Sequence, residues 1–389
     1  MKTAVCFLSL LLAALLQPAA AENLSTPEDV RQYIANHRSD VALVSYSVTP
    51  DGRIDASDPV IQLNPDQPMP LASTIKIIVL AAYAREVEAG RLDPSARIKI
   101  GQWESAYIPL TDGGAHPEAL QELGIPFDEF GFAKNPGRTV TLDQIVRAMI
   151  RFSDNAATDL LIGKLGPGKL RAILTAAGLT GQEIPLPVSG LFLSWENHVD
   201  GPLTPGRLQA LTQLRPEAYA ARVRRIARLF QEPAWKMDEF EWLLQAPATP
   251  RQLEAGAANL YPKGTARDYA RIMARVATGT FLSPAVSATM RRHLGWPMEF
   301  PSVDQLFTAV GSKGGSLEGV LTGAWYLIPK AGDFTGKIRV SALFFRHLPL
   351  WAYDRLQETG AQQLFELSLG LDRGLVEAVG HDTEDDTEE

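Results

Sequence analysis

The chain has 389 residues and almost no cysteine; Cys6 is the only one. It falls in an N-terminal stretch that reads as a cleaved secretory signal. The remainder therefore has no disulfide, no thiolate nucleophile and no cysteine-ligated metal. Histidine is scarce too. His37, His116, His198, His293, His347 and His381 are scattered without H-x-H or H-E-x-x-H spacing, which argues against a zinc hydrolase. Long apolar runs are missing. The first, Ala4 to Leu16, is shorter than the roughly twenty residues a membrane helix needs. The net charge of −8 argues against nucleic acid as a partner. No G-x-S-x-G elbow occurs. Gly163–Lys169 matches G-x-x-x-x-G-K, but Leu170 replaces the required hydroxyl, so it reads as a helix cap and turn.

The signal runs from Lys2 through the apolar run and Pro18 to Ala19-Ala20-Ala21, an A-x-A site before Glu22. Cys6 lies too early to carry a lipid at that site. The expectation is a secreted, periplasmic monomer without a membrane anchor after cleavage. Residues 22–380 are long enough for one large catalytic domain. His381 to Glu389 carry six acidic groups and no apolar anchor, and are expected to be a disordered tail.

Patterning divides that domain. Thr26-Pro27-Glu28-Asp29 is a helix start, with the helix running to about His37. Val41–Val48 and Pro59–Leu63, separated by Pro50-Asp51-Gly52, read as a hairpin. Leu306–Val310, Val320–Ile328 and Lys337–Phe345 read as three more strands, and Ala352–Leu369 as one closing helix. Between Thr74 and Leu294 the elements are helical: Ile75–Ala89 ended by Gly90, Leu142–Arg151 behind a Thr141/Gln144 capping box, and Ala156–Leu165 before Gly166. Ala266–Ala277 and Pro284–His293 follow, capped by Thr265 and Ser283. The expected fold is α/β (α+β): a five-stranded antiparallel sheet from 22–72 and 300–380, and a helical lobe from 73–299. A site belongs in the cleft between the two.

Three short motifs stand in one order: Ser73-Thr74-Ile75-Lys76, Ser153-Asp154-Asn155 and Lys313-Gly314-Gly315-Ser316. Singly they are weak; one S-x-x-K match is expected about once by chance in a chain this long. Their settings add weight. Ser73 opens an apolar helix, where free backbone N–H groups and the positive dipole end suit a developing oxyanion. Lys76, three residues on, shares its helical face. A serine hydroxyl needs a base, and a lysine serves as one only if burial or a neighbouring cation lowers its pKa. The plain alternative is an N-cap serine with a surface lysine. Ser153-Asp154-Asn155 connects two helices and can aim a hydroxyl and an amide into a cleft. By itself it reads as a helix–helix connector with an N-cap, since serine, aspartate and asparagine are what such connectors prefer. The glycine pair in Lys313-Gly314-Gly315-Ser316 marks close approach to a strand backbone. The Ser316 N–H would then pair with that of Ser73 around an oxyanion, and Lys313 would offer charge to a substrate carboxylate. Lys263-Gly264-Thr265 has similar letters but leads into a helix.

With these motifs the sequence resembles the class A β-lactamases and penicillin-recognising serine D,D-peptidases, whose signatures are S-x-x-K, S-D-N and K-T-G. The resemblance extends through most of the chain. It implies a β-lactamase/transpeptidase-like fold, with Ser73 as acylated nucleophile and Lys76 as base or proton relay. Ser153 would pass a proton to the leaving nitrogen, Asn155 would bind a side-chain amide, and Lys313 would recognise a carboxylate. No cofactor or metal is implied, and the partner is a small molecule, a β-lactam or a D-alanyl peptide. Three departures mark a divergent member. Gly314 replaces the K-T-G hydroxyl, so a donor is lost unless Ser316 or Ser312 supplies it. The family's deacylating glutamate has no counterpart: its register falls near Ser189 in Pro185–Leu193, flanked by Glu183 and Glu196. The spacings of 80 residues from Ser73 to Ser153 and 160 from Ser153 to Lys313 are long, with the excess in Gly101–Gly137 and the Arg-rich stretch at about 204–258. Trp103, Tyr107, Phe127, Phe130 and Phe132 are candidates for a wall beside the substrate, with core packing as the alternative. The expected activity is β-lactam hydrolysis through an acyl-enzyme. The rivals are a D,D-carboxypeptidase or esterase that β-lactams acylate slowly, and a penicillin-binding pseudoenzyme without turnover.

Overall fold

The computed structural model describes residues 24–109, 111–245 and 248–383. The segment expected to be a signal, with Cys6, and the acidic residues from 384 onward lie outside the described residues. Strands β1 (Val41–Val48), β2 (Ile61–Leu63), β3 (Phe307–Leu317), β4 (Val320–Pro329) and β5 (Ile338–Phe345) form one antiparallel sheet. Its order is β2-β1-β5-β4-β3. Every residue of β1 is buried because both sheet faces are covered. Val41 and Leu43 join a core with Val30, Ile34 and Phe365, whereas Ala42, Val44 and Tyr46 join the core of the helical lobe. A strand covered on both faces reads as a continuous apolar run instead of an alternation.

Helices start where hydroxyl caps sit. Thr26, Thr141, Thr265 and Ser283 accept the backbone N–H of Asp29, Gln144, Asp268 and Val286. Each satisfies a donor that the first helical turn leaves unpaired. The helix Ala266–Ala277 so begun packs on the inner sheet face, with Tyr269 edge-on to Phe344 at 5.5 Å. The helical lobe also holds two short ladders, Met69–Pro70 with Lys263–Gly264 and Arg97–Lys99 with Thr139–Thr141. The helix after Ser153-Asp154-Asn155 outruns its expected stop: it kinks at Gly166 and continues from Pro167 to Ala177.

The C-terminal segment differs from its expectation. The closing helix is two, Leu350–Thr359 and Ala361–Ser368, parted by Gly360 at φ 65°. A third, Arg373–Thr383, takes in the first three residues expected to be disordered. Val376 and Val379 bury against the outer core, Arg31 pairs with Asp382, and Arg38 donates to the Thr383 carbonyl at 2.7 Å. That anchoring carries the helix into the acidic stretch.

Asp58 ties the ends of the chain together. Its buried carboxylate accepts from Ser47 Oγ at 2.5 Å, Lys337 Nζ at 2.6 Å and Arg373 Nη2 at 2.5 Å. Burial would raise this carboxyl, but those three donors outweigh it and hold it at about 2. A depressed carboxylate stabilises the fold above its ordinary pKa of about 4 and loses that contribution as pH falls towards 2. Asp58→Asn should lower stability by about 1–3 kcal/mol at pH 7 and flatten its acid dependence. Urea midpoints at pH 7 and pH 3 check this; equal midpoints for both proteins at pH 7 would contradict it.

Candidate active site

Ser73 lies where the two lobes meet. Met69–Pro70 is held in its short ladder, Leu71 N–H donates to the Pro262 carbonyl at 3.2 Å, and Ala72 turns the chain at φ 43°. A non-glycine residue there is strained, and such strain gathers at functional sites. Ser73 sits in the tight turn Ala72–Ile75, one turn before the α-helix Lys76–Glu88, whose residues Lys76 to Ala84 are all buried.

Lys76 has no exposed surface. Its Nζ lies 2.9 Å from Ser73 Oγ, 3.1 Å from Ser153 Oγ and 2.8 Å from Asn155 Oδ1, and also contacts the Ser153 carbonyl. Four acceptors exceed the three hydrogens of an ammonium. Burial pulls its pKa from 10.5 down to about 8, although Asp154, Asp112 and Asp159 pull the other way. A neutral amine has a lone pair, and Ser73 Oγ–H is in place to give it a proton.

The second motif is delivered by strained backbone. After the helix Leu142–Arg147 the chain widens into a π-turn, Ala148–Phe152, and Ser153 follows at φ 69°. Such turns recur at functional sites. Asp154 caps the helix Asn155–Ala177 by accepting the Ala157 N–H at 3.0 Å. Its other oxygen meets His116 Nδ1 at 2.8 Å, and His116 Nε2 lies 3.4 Å from Glu104 Oε1. All three side chains are buried, and Trp103 and Tyr107 pack on the imidazole. Burial alone would lower the His116 pKa, but Asp154 and Glu104 outweigh it and raise it to about 9. The spacing of the histidines argues only against a zinc site and says nothing of this pair. The signal that could have found it is chemical: an aspartate buried at a helix N-cap calls for a cation behind it.

Lys313-Gly314-Gly315-Ser316 lies within β3, at the open edge of the sheet. Lys313 Nζ reaches Ser153 Oγ at 3.1 Å and the Gly314 carbonyl at 2.6 Å. Burial and the charge of Lys76 lower its pKa well below the ordinary lysine value. Two lysines thus donate to one hydroxyl, which leaves the Ser153 proton free to go elsewhere. Gly315 has a steric reason: a Cβ there would fall 2.5 Å from the Ser73 nitrogen and 2.8 Å from that of Thr74. Thr74 Oγ1 also bonds Thr322 Oγ1 at 2.8 Å, fastening the turn to the sheet. Ser316 stands apart. Its hydroxyl bonds Tyr353 at 2.7 Å and Gln357 at 2.9 Å, both on the helix Leu350–Thr359. Ser312 Oγ is buried without a partner and outside the cleft, so it does not supply the donor missing at Gly314.

Ser73, Ser153, Asn155 and Gly314 to Ser316 open on one cleft of about 930 Å³. Of the aromatic candidates, Phe130 and Phe132 line it, whereas Trp103 and Tyr107 surround His116 and Phe127 packs on the core. The register of the missing glutamate is occupied by a buried helix, Val188–Trp195. Asp159 receives the backbone N–H groups of Val188 and Ser189, the latter at 3.0 Å, and the Ser189 hydroxyl as well. Burial raises Asp159 to about 6. Glu183 accepts from Lys263 N at 2.9 Å and does not line the cleft; Glu196 does, and so does Asp112. Asp112 is held by the N–H groups of Gly114 and His116 at 3.1 and 2.9 Å. Burial, then the nearby Asp154, raises its pKa. Among the described residues no group of three or more His, Cys, Asp or Glu could hold a metal ion, and no helix is long and apolar enough to cross a membrane.

Residues 28–331 match the profile of the β-lactamase enzyme family. No curated protein sequence matches the chain. Among solved structures, a β-lactamase from Chitinophaga pinensis DSM 2588 superposes with a TM-score of 0.52 at 13% identity, over 88% of this chain and 98% of that one. A class A β-lactamase variant of the last common ancestor of Gram-negative bacteria gives 0.51 at 17% identity, over 92% and 100%. These likenesses establish the fold, and the family profile covers all three motifs: the chain belongs to the β-lactamase enzyme family.

Proposed function

We propose that this protein is a serine hydrolase that opens β-lactams through an acyl-enzyme on Ser73. The observation that carries the reading is the desolvated Lys76 amine, 2.9 Å from Ser73 Oγ. The neutral amine takes the Ser73 proton as Oγ attacks the carbonyl. Ser153, held by both lysines, passes its proton to the leaving nitrogen and takes one back from the Lys76 ammonium, which restores the neutral amine, and Lys313 draws the substrate carboxylate. The N-terminal sequence supports an exported enzyme, cleaved before Glu22. A second reading, a D,D-carboxypeptidase or esterase that β-lactams acylate slowly, is favoured by Val188 and Ser189 standing where a water-activating carboxylate would be needed.

At pH 7 roughly a tenth of a lysine with a pKa near 8 is neutral, far more than of an ordinary one. The sign follows: acylation should rise about tenfold per pH unit below 8 and level above it. Intact-mass time courses with a penicillin should show one adduct on the Ser73 peptide. Lys76→Ala should slow its formation by ~10²–10⁴-fold and abolish the pH limb. An adduct on Ser153, or full rates without Lys76, would overturn the assignment.

Deacylation should be the slow step. Rapid mixing with a chromogenic cephalosporin should give a burst near one equivalent and then a slower linear phase. A single fast phase would mean an unassigned base, and Asp112 and Glu196 are the carboxylates in the cleft to replace first.

His116 acts at one remove by holding Asp154, and so the backbone that presents Ser153 and Asn155. Its raised pKa means the pair stabilises the fold fully below about pH 6.5 and loses that contribution as pH rises through 9. Breaking a buried pair costs about 3–5 kcal/mol. His116→Gln should lower the melting temperature more at pH 6 than at pH 9 and slow acylation, while the Lys76 limb near pH 8 stays. A full-rate, fully stable variant would remove His116 from the site.

A further inference from the structure

The inserted residues do more than lengthen the chain. Residues 205–260 fold into four helices, and one of them, Pro233–Gln245, turns Phe240, Leu243 and Leu244 towards the cleft. Phe240 meets Phe132 at 6.1 Å, and Leu243 packs with it on a small core of Ile108, Leu193 and Phe230. Across from them Phe192 comes from the buried helix Val188–Trp195, and Phe130 completes the wall. Lys236 is kept out of this space. It donates to the carbonyls of Glu104 and Ser105 at 3.2 and 3.0 Å and is screened by Phe132, Phe230 and Phe240. Two apolar rim residues remain in water, Phe130 at 43% exposure and Leu244 at 68%. Apolar surface left open beside a reactive group marks where a ligand is covered.

We infer that this arm takes an extended lipophilic chain, alkyl or aryl, on the acyl side of the bond that Ser73 attacks. The inference rests on Ser73 being the acylated residue. The occupant must be part of the substrate because the arm and Ser73 share one continuous cavity. Elsewhere the same cavity is lined by polar side chains, Tyr353, Gln357, Gln362 and Gln363 among them. A substrate with an apolar acyl group and a polar leaving group matches both linings.

The test uses 6-aminopenicillanic acid N-acylated with straight chains of two to ten carbons. Acylation rates come from intact mass, and equilibrium binding to Ser73→Ala from calorimetry. Each methylene buried in the arm should improve both by about two- to fourfold until the arm is full. Phe240→Ala and Leu244→Glu should flatten that dependence, and exposed Leu244 accepts a charge without unfolding the chain. A flat or falling series in both measurements overturns the inference, as does the absence of binding by every member. Chain-length-dependent binding without any adduct in the wild type supports the arm and overturns the acyl-enzyme reading. Adducts that form at one rate for all chains do the reverse.

Discussion

The buried amine of Lys76 is the constraint from which the rest of the site follows. Taking an ammonium out of water costs several kcal/mol unless partners replace its hydration. Here those partners are Ser73 and both side chains of the second motif that enter the cleft. The strained Ala72 and Ser153, the π-turn and the Asp154 cap are what it takes to bring them to one nitrogen. Lys313 enters the same network from the sheet, so two lysines contend for one hydroxyl and neither can keep its charge cheaply. The site is thus set up to hand protons over instead of storing them.

That network spans the joint between the lobes, and glycine makes the joint close. The Gly315 backbone passes so near the Ser73 turn that any side chain would separate strand from helix. Thr74 and Thr322 then lock the contact. Hydrolysis of an acylated Ser73 depends on water reaching the same narrow place. The Val188–Trp195 helix offers it apolar side chains, and the one hydroxyl of its first turn is already bound to Asp159. On the proposed acyl-enzyme reading, acylation is therefore better provided for than release.

What was legible in the sequence was local. Hydroxyl caps, strand runs and the three motifs each depend on neighbours a few residues away, and these gave the sheet, the helical lobe and the residues that converge on the cleft. What was not legible depends on distance. His116 meets Asp154 across 38 positions, so neither residue's neighbours announce the pair. Asp159 looked like one more polar helix residue, yet it pins a helix thirty positions on. The inserted helices carried a pattern for packing, but no local signal told which side chains would be left facing a cavity. The acidic end looked soluble because its anchors, Arg31 and Arg38, lie at the other end of the chain.

The pairing of β1 with β5 sets a timetable for the molecule. On one side Val41 to Val48 pairs with Ile61 to Leu63 nearby, but on the other its partner is Ile338 to Phe345, almost three hundred residues later along the chain. A chain appearing from its N-terminus waits, with its first strand unpaired on that side, until nearly all of it exists. Contacts so remote in sequence close slowly. Strand β3, which carries Lys313, lies beyond β4, which itself pairs with β5, so the cleft is not complete before that closure. A chain built in this order completes the cleft between its lobes only when its last strands have joined the sheet.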